Sequence, residues 1–163
     1  MTQPKSRTLW LIRHAKAVDR VLAQQDFDRV LALPGRTDVD DLLAHVNRHD
    51  HRAPRWLWFS PSARTEQTAA ALARRWQSAV VEEPSIYLPD AHTILGCLKG
   101  TPSSEDIVGL VAHNPGISDL VHLLVRTDDH KELPEAMPTL GIAQLTFAGN
   151  WPDLEPNICR LTS

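Results

Sequence analysis

Short apolar runs alternate along this chain with stretches in which apolar side chains return every three or four positions. The first pattern predicts buried strands and the second amphipathic helices. Thr8-Leu9-Trp10-Leu11-Ile12 is a strand of bulky side chains that leads straight into Arg13-His14. After the polar stretch 16–35, Val39, Leu42, Leu43 and Val46 repeat at 0, 3, 4 and 7, a helical stripe whose entry is punctuated by Pro34-Gly35. Trp56-Leu57-Trp58-Phe59 predicts a second strand ending at Ser60-Pro61. A helix follows, with Ala69, Leu72, Ala73 and Trp76 on one face. Ala79-Val80-Val81 is a brief third strand, and residues 91–98 form a short helix before the turn-rich stretch 100–104. The clearest unit is residues 107–112, a strand broken by His113-Asn114-Pro115-Gly116. The helix after it carries Ile117, Leu120, Val121 and Leu124. Residues 142–147 alternate apolar and polar as a half-exposed strand does, and 158–161 is an edge strand.

Strands alternating with amphipathic helices imply parallel pairing through right-handed crossovers, with helices on both faces of the sheet. The expectation is an α/β fold: a three-layer α/β/α sandwich on a mostly parallel central sheet. With 163 residues, 42% of them hydrophobic, and no internal repeat or long linker, one domain over 1–163 is expected. Residues 127–138 form a charged, proline-containing loop, a candidate border of the site.

Composition narrows the function. A net charge of -3 provides no basic field for nucleic acid or anionic lipid. No apolar run approaches the roughly 18 residues of a membrane span, and Met1 to Arg7 lacks a signal-peptide stretch, so a soluble cytoplasmic protein is expected. Cys97 and Cys159 are too few for a disulfide framework and form no CxxC pair.

Ligands of open α/β sheets sit beyond the carboxyl ends of the strands. Three strands here end in Arg13-His14, in Ser60 to Arg64, and in His113-Asn114. Two arginines and two histidines suit a dianionic phosphoryl group, because guanidinium forks match its oxygens and neutral imidazole can attack phosphorus. Such transfer needs no metal in principle, and no cofactor is expected. Each residue also has a plainer reading. Arg13-His14 alone could be surface decoration, and Arg64 could be an ordinary helix residue, although a cation disfavours a helix N-terminus unless an anion is bound there. His113 could be a turn histidine, but it precedes a helix start after a buried strand. Lys16 contacts phosphate or faces water, and stays outside the catalytic set. His45, His49 and His51 are the rival metal cluster; with Arg48, Asp50 and Arg52 interleaved they fit a solvated helix end better. Trp10, Trp56, Trp58 and Trp76 belong to packing.

Leu11-Ile12-Arg13-His14-Ala15-Lys16-Ala17 resembles the strand-terminal Arg-His-Gly motif of the histidine phosphatase superfamily, in the Arg-His-Ala-Lys form of its short phosphohistidine phosphatase branch. Ser60 to Thr68 is similar to the family's Ser-x-x-x-Arg-x-x-Gln-Thr segment, Val111 to Pro115 to its second histidine turn, and Met137 to Ala143 to the stretch that opens its last strands. The resemblance implies a phosphoglycerate mutase-like fold with His14 as nucleophile and Arg13, Arg64 and His113 holding and polarising the phosphoryl group. It further implies a metal-independent phosphatase whose substrate is a phosphorylated protein, such as a histidine phosphotransfer protein. Ala15 stands where the wider family has glycine, and Leu31-Ala32-Leu33-Pro34-Gly35 is a weak version of a Leu-Thr-x-x-Gly stretch. The proton donor of larger relatives has no clear counterpart: Asp90, Glu82, Glu83 or none are the options. An alkoxide needs that proton, whereas an imidazole departs neutral once its ring is protonated, so a missing acid favours phosphohistidine. The alternatives are a small-molecule phosphomonoesterase and an inactive phosphate-binding scaffold; a mutase is disfavoured by a site open to water.

Overall fold

The computed structural model describes residues 2–23, 25–48 and 52–163. In chain order the elements are β1 (Ser6–Arg13), α1 (Leu33–Arg48), β2 (Trp56–Phe59), α2 (Ala63–Trp76), β3 (Ala79–Glu82), α3 (Ala91–Lys99), β4 (Ile107–Ala112), α4 (Gly116–Leu124), β5 (Ile142–Ala148) and β6 (Arg160–Leu161). They build one six-stranded sheet in the order β3-β2-β4-β1-β5-β6. Strands β3, β2, β4 and β1 are parallel neighbours, β5 runs antiparallel to β1, and β6 antiparallel to β5. Only β5 therefore runs against the rest, and the expected mostly parallel sheet is found.

Two-residue periodicity along the strands sorts side chains to the two faces. Leu9, Leu11, Trp58, Val108, Leu110 and Ala112 pack against Ile94, Leu95 and Leu98 of α3 and Ile117, Leu120, Val121 and Leu124 of α4. Trp10, Ile12, Leu57, Phe59 and Val111 pack against Val39 and Val46 of α1 and Ala69, Leu72, Ala73 and Trp76 of α2. Each fully buried leucine contributes roughly 1.5–3 kcal/mol of transfer free energy, so the sheet is held from both sides by apolar burial. That burial fixes where the strand ends point, and with them the polar residues that follow.

The reversal of β5 has a local cause. After α4 returns toward the start of the strands, the segment 125–141 runs back to their carboxyl end before pairing begins. There the Met137 carbonyl accepts from Arg13 Nη1 and Asn114 Nδ2, both at 2.9 Å, and the Gly141 carbonyl accepts from the Arg13 amide at 3.0 Å. A strand that starts at that end can only descend beside β1. The expected border loop 127–138 thus reaches the carboxyl end of the sheet through its last residues; its first part is a short 3-10 turn, Thr127–Glu132.

At the opposite end, Arg7 is 2% exposed and is surrounded by acceptors. Its guanidinium donates to the carbonyls of Gly149, Ser103 and Glu105, to Asp106 Oδ1 and to Asn150 Oδ1, at 2.7–3.2 Å. This clamp closes the sheet's amino-end edge.

Candidate active site

The carboxyl ends of β1, β2 and β4 form the floor. Pairing continues one residue past the strands: the His14 amide donates to the Ala112 carbonyl and the Ser60 amide to the Val111 carbonyl, both at 3.1 Å. His14 and His113 are brought together in this way, their rings tilted by 60° with centroids 5.4 Å apart.

His14 is buried, and its Nδ1 lies 2.7 Å from the Ala15 carbonyl. A carbonyl can only accept, so Nδ1 carries the hydrogen and Nε2 keeps its lone pair. Arg64 Nε donates toward that Nε2 at 3.3 Å. Burial pushes the His14 pKa down to about 4; the Ala15 carbonyl opposes this, and the charges of Arg64, Arg13 and Arg29 assist it. The ring is therefore neutral at pH 7.

His113 Nε2 is 2.7 Å from Ser60 Oγ, while its Nδ1 is buried with no partner. Burial first, then Arg64 and His14, push its pKa down to about 3. Arg13 spends Nη1 on Met137 and leaves Nε buried without a partner. Burial, then Arg64, lowers its pKa. An unpaired buried donor costs about 1–3 kcal/mol, and an oxyanion is the ligand class that would satisfy such groups together.

The rim is built differently. Arg64 sits in the first turn of α2, which Ser62 caps in a reciprocal box with Thr65. The Arg64 Nη1 and Nη2 groups donate to the carbonyl and the Oδ2 of Asp26, at 2.8 and 2.9 Å. Asp26 lies in a short 3-10 turn, Asp26–Asp28, inside the polar stretch. It also accepts from Arg29 Nη1 at 3.0 Å and from the Tyr87 hydroxyl at 3.1 Å. Burial alone would raise its pKa, but the hydrogen bonds from Arg29, Arg64 and Tyr87 hold it down to about 2. The stretch is pinned to the floor by α2: Gln67 Oε1 accepts from the Leu31 amide at 2.7 Å, and Thr68 Oγ1 from the Ala15 amide at 3.1 Å. Gly35 completes the attachment, since a Cβ there would stand 2.2 Å from the Lys16 carbonyl oxygen. That close approach explains the glycine in the Leu31-to-Gly35 stretch, and α1 accordingly starts before it, at Leu33, with Pro34 and Gly35 inside its first turn.

Floor and rim enclose a pocket of about 400 Å³ whose lining includes Arg13, His14, Asp26, Arg29, Arg64 and His113. All four residues singled out from the sequence meet there, and Lys16, which is exposed, also lines it. The three candidate acids do not. Asp90 caps α3 by accepting from the Thr93 amide at 2.8 Å, Glu83 accepts from the Ser85 amide, and Glu82 is exposed at the end of β3. Asp19 and Asp26 are the acids that line the pocket instead. Sequence reasoning missed Asp26, Arg29, Tyr87 and the role of Ser60; the available signal was the Asp-x-x-Arg spacing just before Leu31. Of the rival cluster, His45 lies on α1, while His49 and His51 fall outside the described residues. Among the described residues no group of three or more His, Cys, Asp or Glu side chains could hold a metal ion, and no helix is long and apolar enough to cross a membrane. Cys97 and Cys159 are free, with thiols that burial pushes up to about 12.

The profile described as histidine phosphatase superfamily (branch 1) matches residues 9–87, a span that includes Arg13, His14, Asp26 and Arg64 but not His113. No curated protein matches the chain in sequence. Among solved structures, a chain assigned as phosphohistidine phosphatase SixA from Nakamurella multipartitia is 26% identical with a TM-score of 0.82, covering 99% of this chain and 96% of that one. A second so assigned, from Agrobacterium tumefaciens, is 26% identical with a TM-score of 0.78 and 96% coverage of both chains. The protein histidine phosphatase SixA complexed with tungstate shares the fold at 21% identity, with a TM-score of 0.77 and coverage of 96% and 94%. These likenesses support a phosphatase.

Proposed function

We propose that this chain belongs to the histidine phosphatase superfamily, whose branch 1 profile matches residues 9–87, that it removes phosphoryl groups through a covalent intermediate on His14, and that its substrate is a phosphorylated histidine carried by a protein. The observation behind the first part is the 2.7 Å contact of His14 Nδ1 with the Ala15 carbonyl, from which the tautomer follows. With Nδ1–H committed to the Ala15 carbonyl, the Nε2 lone pair faces the pocket's cations. In the first step Nε2 forms a bond to phosphorus while the bond to the leaving group breaks, its electron pair departing with that group. In the second, water attacks the phosphorus, the P–Nε2 bond breaks with its electron pair returning to His14, and inorganic phosphate leaves as the attacking water gives up a proton to solvent. Arg13, Arg64 and His113 stabilise the oxygens of the loose transition state, the main demand this chemistry makes on a protein.

The second part follows from the acids. Of the two acids lining the pocket, Asp26 is held ionised by two arginines and Asp19 is solvent-exposed, while Asp90, Glu82 and Glu83 lie elsewhere. A leaving group that must be protonated by a carboxylic acid is poorly served, whereas an imidazole protonated on its ring departs neutral. Exposed apolar side chains beside the pocket, Leu88 on its wall and Phe27, Val21 and Leu22 along the rim stretch, suit a macromolecular substrate over a small polar ester. The reading needs no metal.

The test compares wild type with His14→Ala on a phosphorylated histidine phosphotransfer protein, on phosphoramidate and on an aryl phosphate, with chelator present. Wild type is expected to favour the P–N substrates and to accumulate an acid-labile phosphohistidine on residue 14. The variant should lose at least about 10⁴-fold in turnover, as enzymes do on losing a covalent nucleophile. Preference for the aryl ester would sink the phosphohistidine assignment and leave His14 standing. Turnover by His14→Ala at the wild-type rate would remove the nucleophile assignment itself.

A further inference from the structure

We infer that Asp26 is a positioning residue of this site, one that aligns Arg64 on the phosphoryl group and at the same time restrains the pocket's affinity for free phosphate. The inference rests on the phosphoryl-transfer reading above. Neither role requires Asp26 to touch substrate; both follow from what it already holds.

A guanidinium is planar, so two contacts on one edge determine where the remaining edge points. The carbonyl and carboxylate of Asp26 occupy Nη1 and Nη2 of Arg64, at 2.8 and 2.9 Å, and the Nε edge is thereby turned to His14 Nε2 at 3.3 Å. Without those contacts a long side chain with several rotatable bonds would have to be ordered at every turnover. Asp26 is in turn braced from two further directions, by Arg29 Nη1 at 3.0 Å and the Tyr87 hydroxyl at 3.1 Å, with the Phe27 and Tyr87 rings in edge contact. Burial of Arg64, 4% exposed, keeps solvent from competing for the same donors.

The second consequence is electrostatic. Arg13, Lys16, Arg20, Arg29 and Arg64 line the pocket against Asp19 and Asp26, and of the two acids it is Asp26 that forms an ion pair with Arg64. A phosphate dianion at Arg64 shares that cation with a fixed carboxylate, so free phosphate is held more weakly than the arginines alone would hold it. The transition state recovers the difference through the alignment of Arg64, which matters most while the bond to Nε2 is forming. Interactions stronger in the transition state than in the bound product raise turnover and let product leave.

The experiment uses the full-length chain with phosphoramidate as substrate and inorganic phosphate as inhibitor and thermal-shift ligand. Asp26→Asn removes the charge and nearly keeps the shape; Asp26→Glu keeps the charge and displaces it. Asp26→Asn is expected to lower kcat about tenfold and to tighten phosphate inhibition about fivefold. Asp26→Glu should lower kcat similarly with phosphate affinity at the wild-type value. A rise in unfolding temperature on adding phosphate reports the folded pocket in each variant. If phosphate affinity falls together with kcat in Asp26→Asn, the residue is merely structural and the inference fails; unchanged kinetics overturn it equally. Absence of an acid-labile phosphohistidine in the wild type would instead bring down the phosphoryl-transfer reading, so the two failures are distinguishable.

Discussion

Strand β1 carries an arginine at each end, and the two are used in opposite ways. Arg7 is buried under three carbonyls, an aspartate and an asparagine, with all three of its nitrogens engaged and its guanidinium 5.9 Å from the centre of the Trp151 ring. Arg13 has one contact, to the Met137 carbonyl, an unpartnered Nε, and a second cation, Arg64, near enough to lower its pKa. Arg7 is fully buried and Arg13 partly so, so both charges are drawn out of bulk water. What separates structure from chemistry is whether the protein itself supplies the partners. A satisfied cation holds loops together; an unsatisfied one, crowded by like charge, is poised for an anion from outside.

The comparison is most exposed at the site end. Arg13→Met should reduce kcat/KM about 10²–10³-fold, the usual cost of losing a preorganised donor to the transition state, with an unfolding midpoint at or above that of wild type. A large loss of stability in that variant would break the contrast. At the other end, Arg7→Met should cost about 2–3 kcal/mol in urea denaturation, because it strands buried carbonyls while Asp106 stays partly hydrated. The kcat of the fraction that remains folded should match wild type. Ser60→Ala sharpens the picture on the floor. It frees His113 Nε2, 2.7 Å from the lost hydroxyl, and should lower kcat about tenfold, roughly the value of one net hydrogen bond, without altering the affinity for phosphate measured by inhibition.

The smallest effect on rate is expected with pH. His14 has a pKa of about 4, so kcat/KM should stay level from neutrality to about pH 5 and fall only as the pH approaches 4 and Nε2 becomes protonated. Stability should respond sooner. The folded pKa values of His14 and His113, about 4 and 3, lie below the ordinary value of 6.5. The unfolded chain therefore binds protons first as pH falls. The stability these two neutral rings contribute is complete above 6.5 and is lost progressively as pH drops through 4 and 3. Urea midpoints taken from pH 7 to 4 in wild type and His113→Asn check this, the variant showing the shallower decline.

Much of the fold was legible because apolar runs and helical stripes coincide with single elements. Trp56–Phe59 and Ile107–Ala112 appear as expected. β1 extends beyond its apolar run, since Ser6 and Arg7 are held by pairing with Ala148 and Phe147, which hydropathy does not register. The direction of β5 was not legible either: alternation announces a strand, while its direction came from where residues 125–141 deliver the chain. Arg13, His14, Arg64 and His113 could be found because each lies where an element ends or begins. Asp26 and Arg29 could not, because their stretch has no apolar period and is organised by side-chain ties to α2. Asp90 and Glu83 drew notice as acids, yet their carboxylates serve local amides at the start of α3 and of the turn Pro84–Ile86.

The pairing of β1 also has a consequence for how the molecule comes into being. Its register binds it to residues 107–112 on one side and 142–148 on the other. At a synthesis rate of roughly 5–20 residues per second, His14 therefore leaves the ribosome many seconds before the strands that align it exist. The nascent chain carries the proposed nucleophile but not its geometry, and both flanking contacts are long-range closures of the slowly formed kind. Any competence to handle phosphoryl groups should therefore arrive in a single late step, when β5 docks.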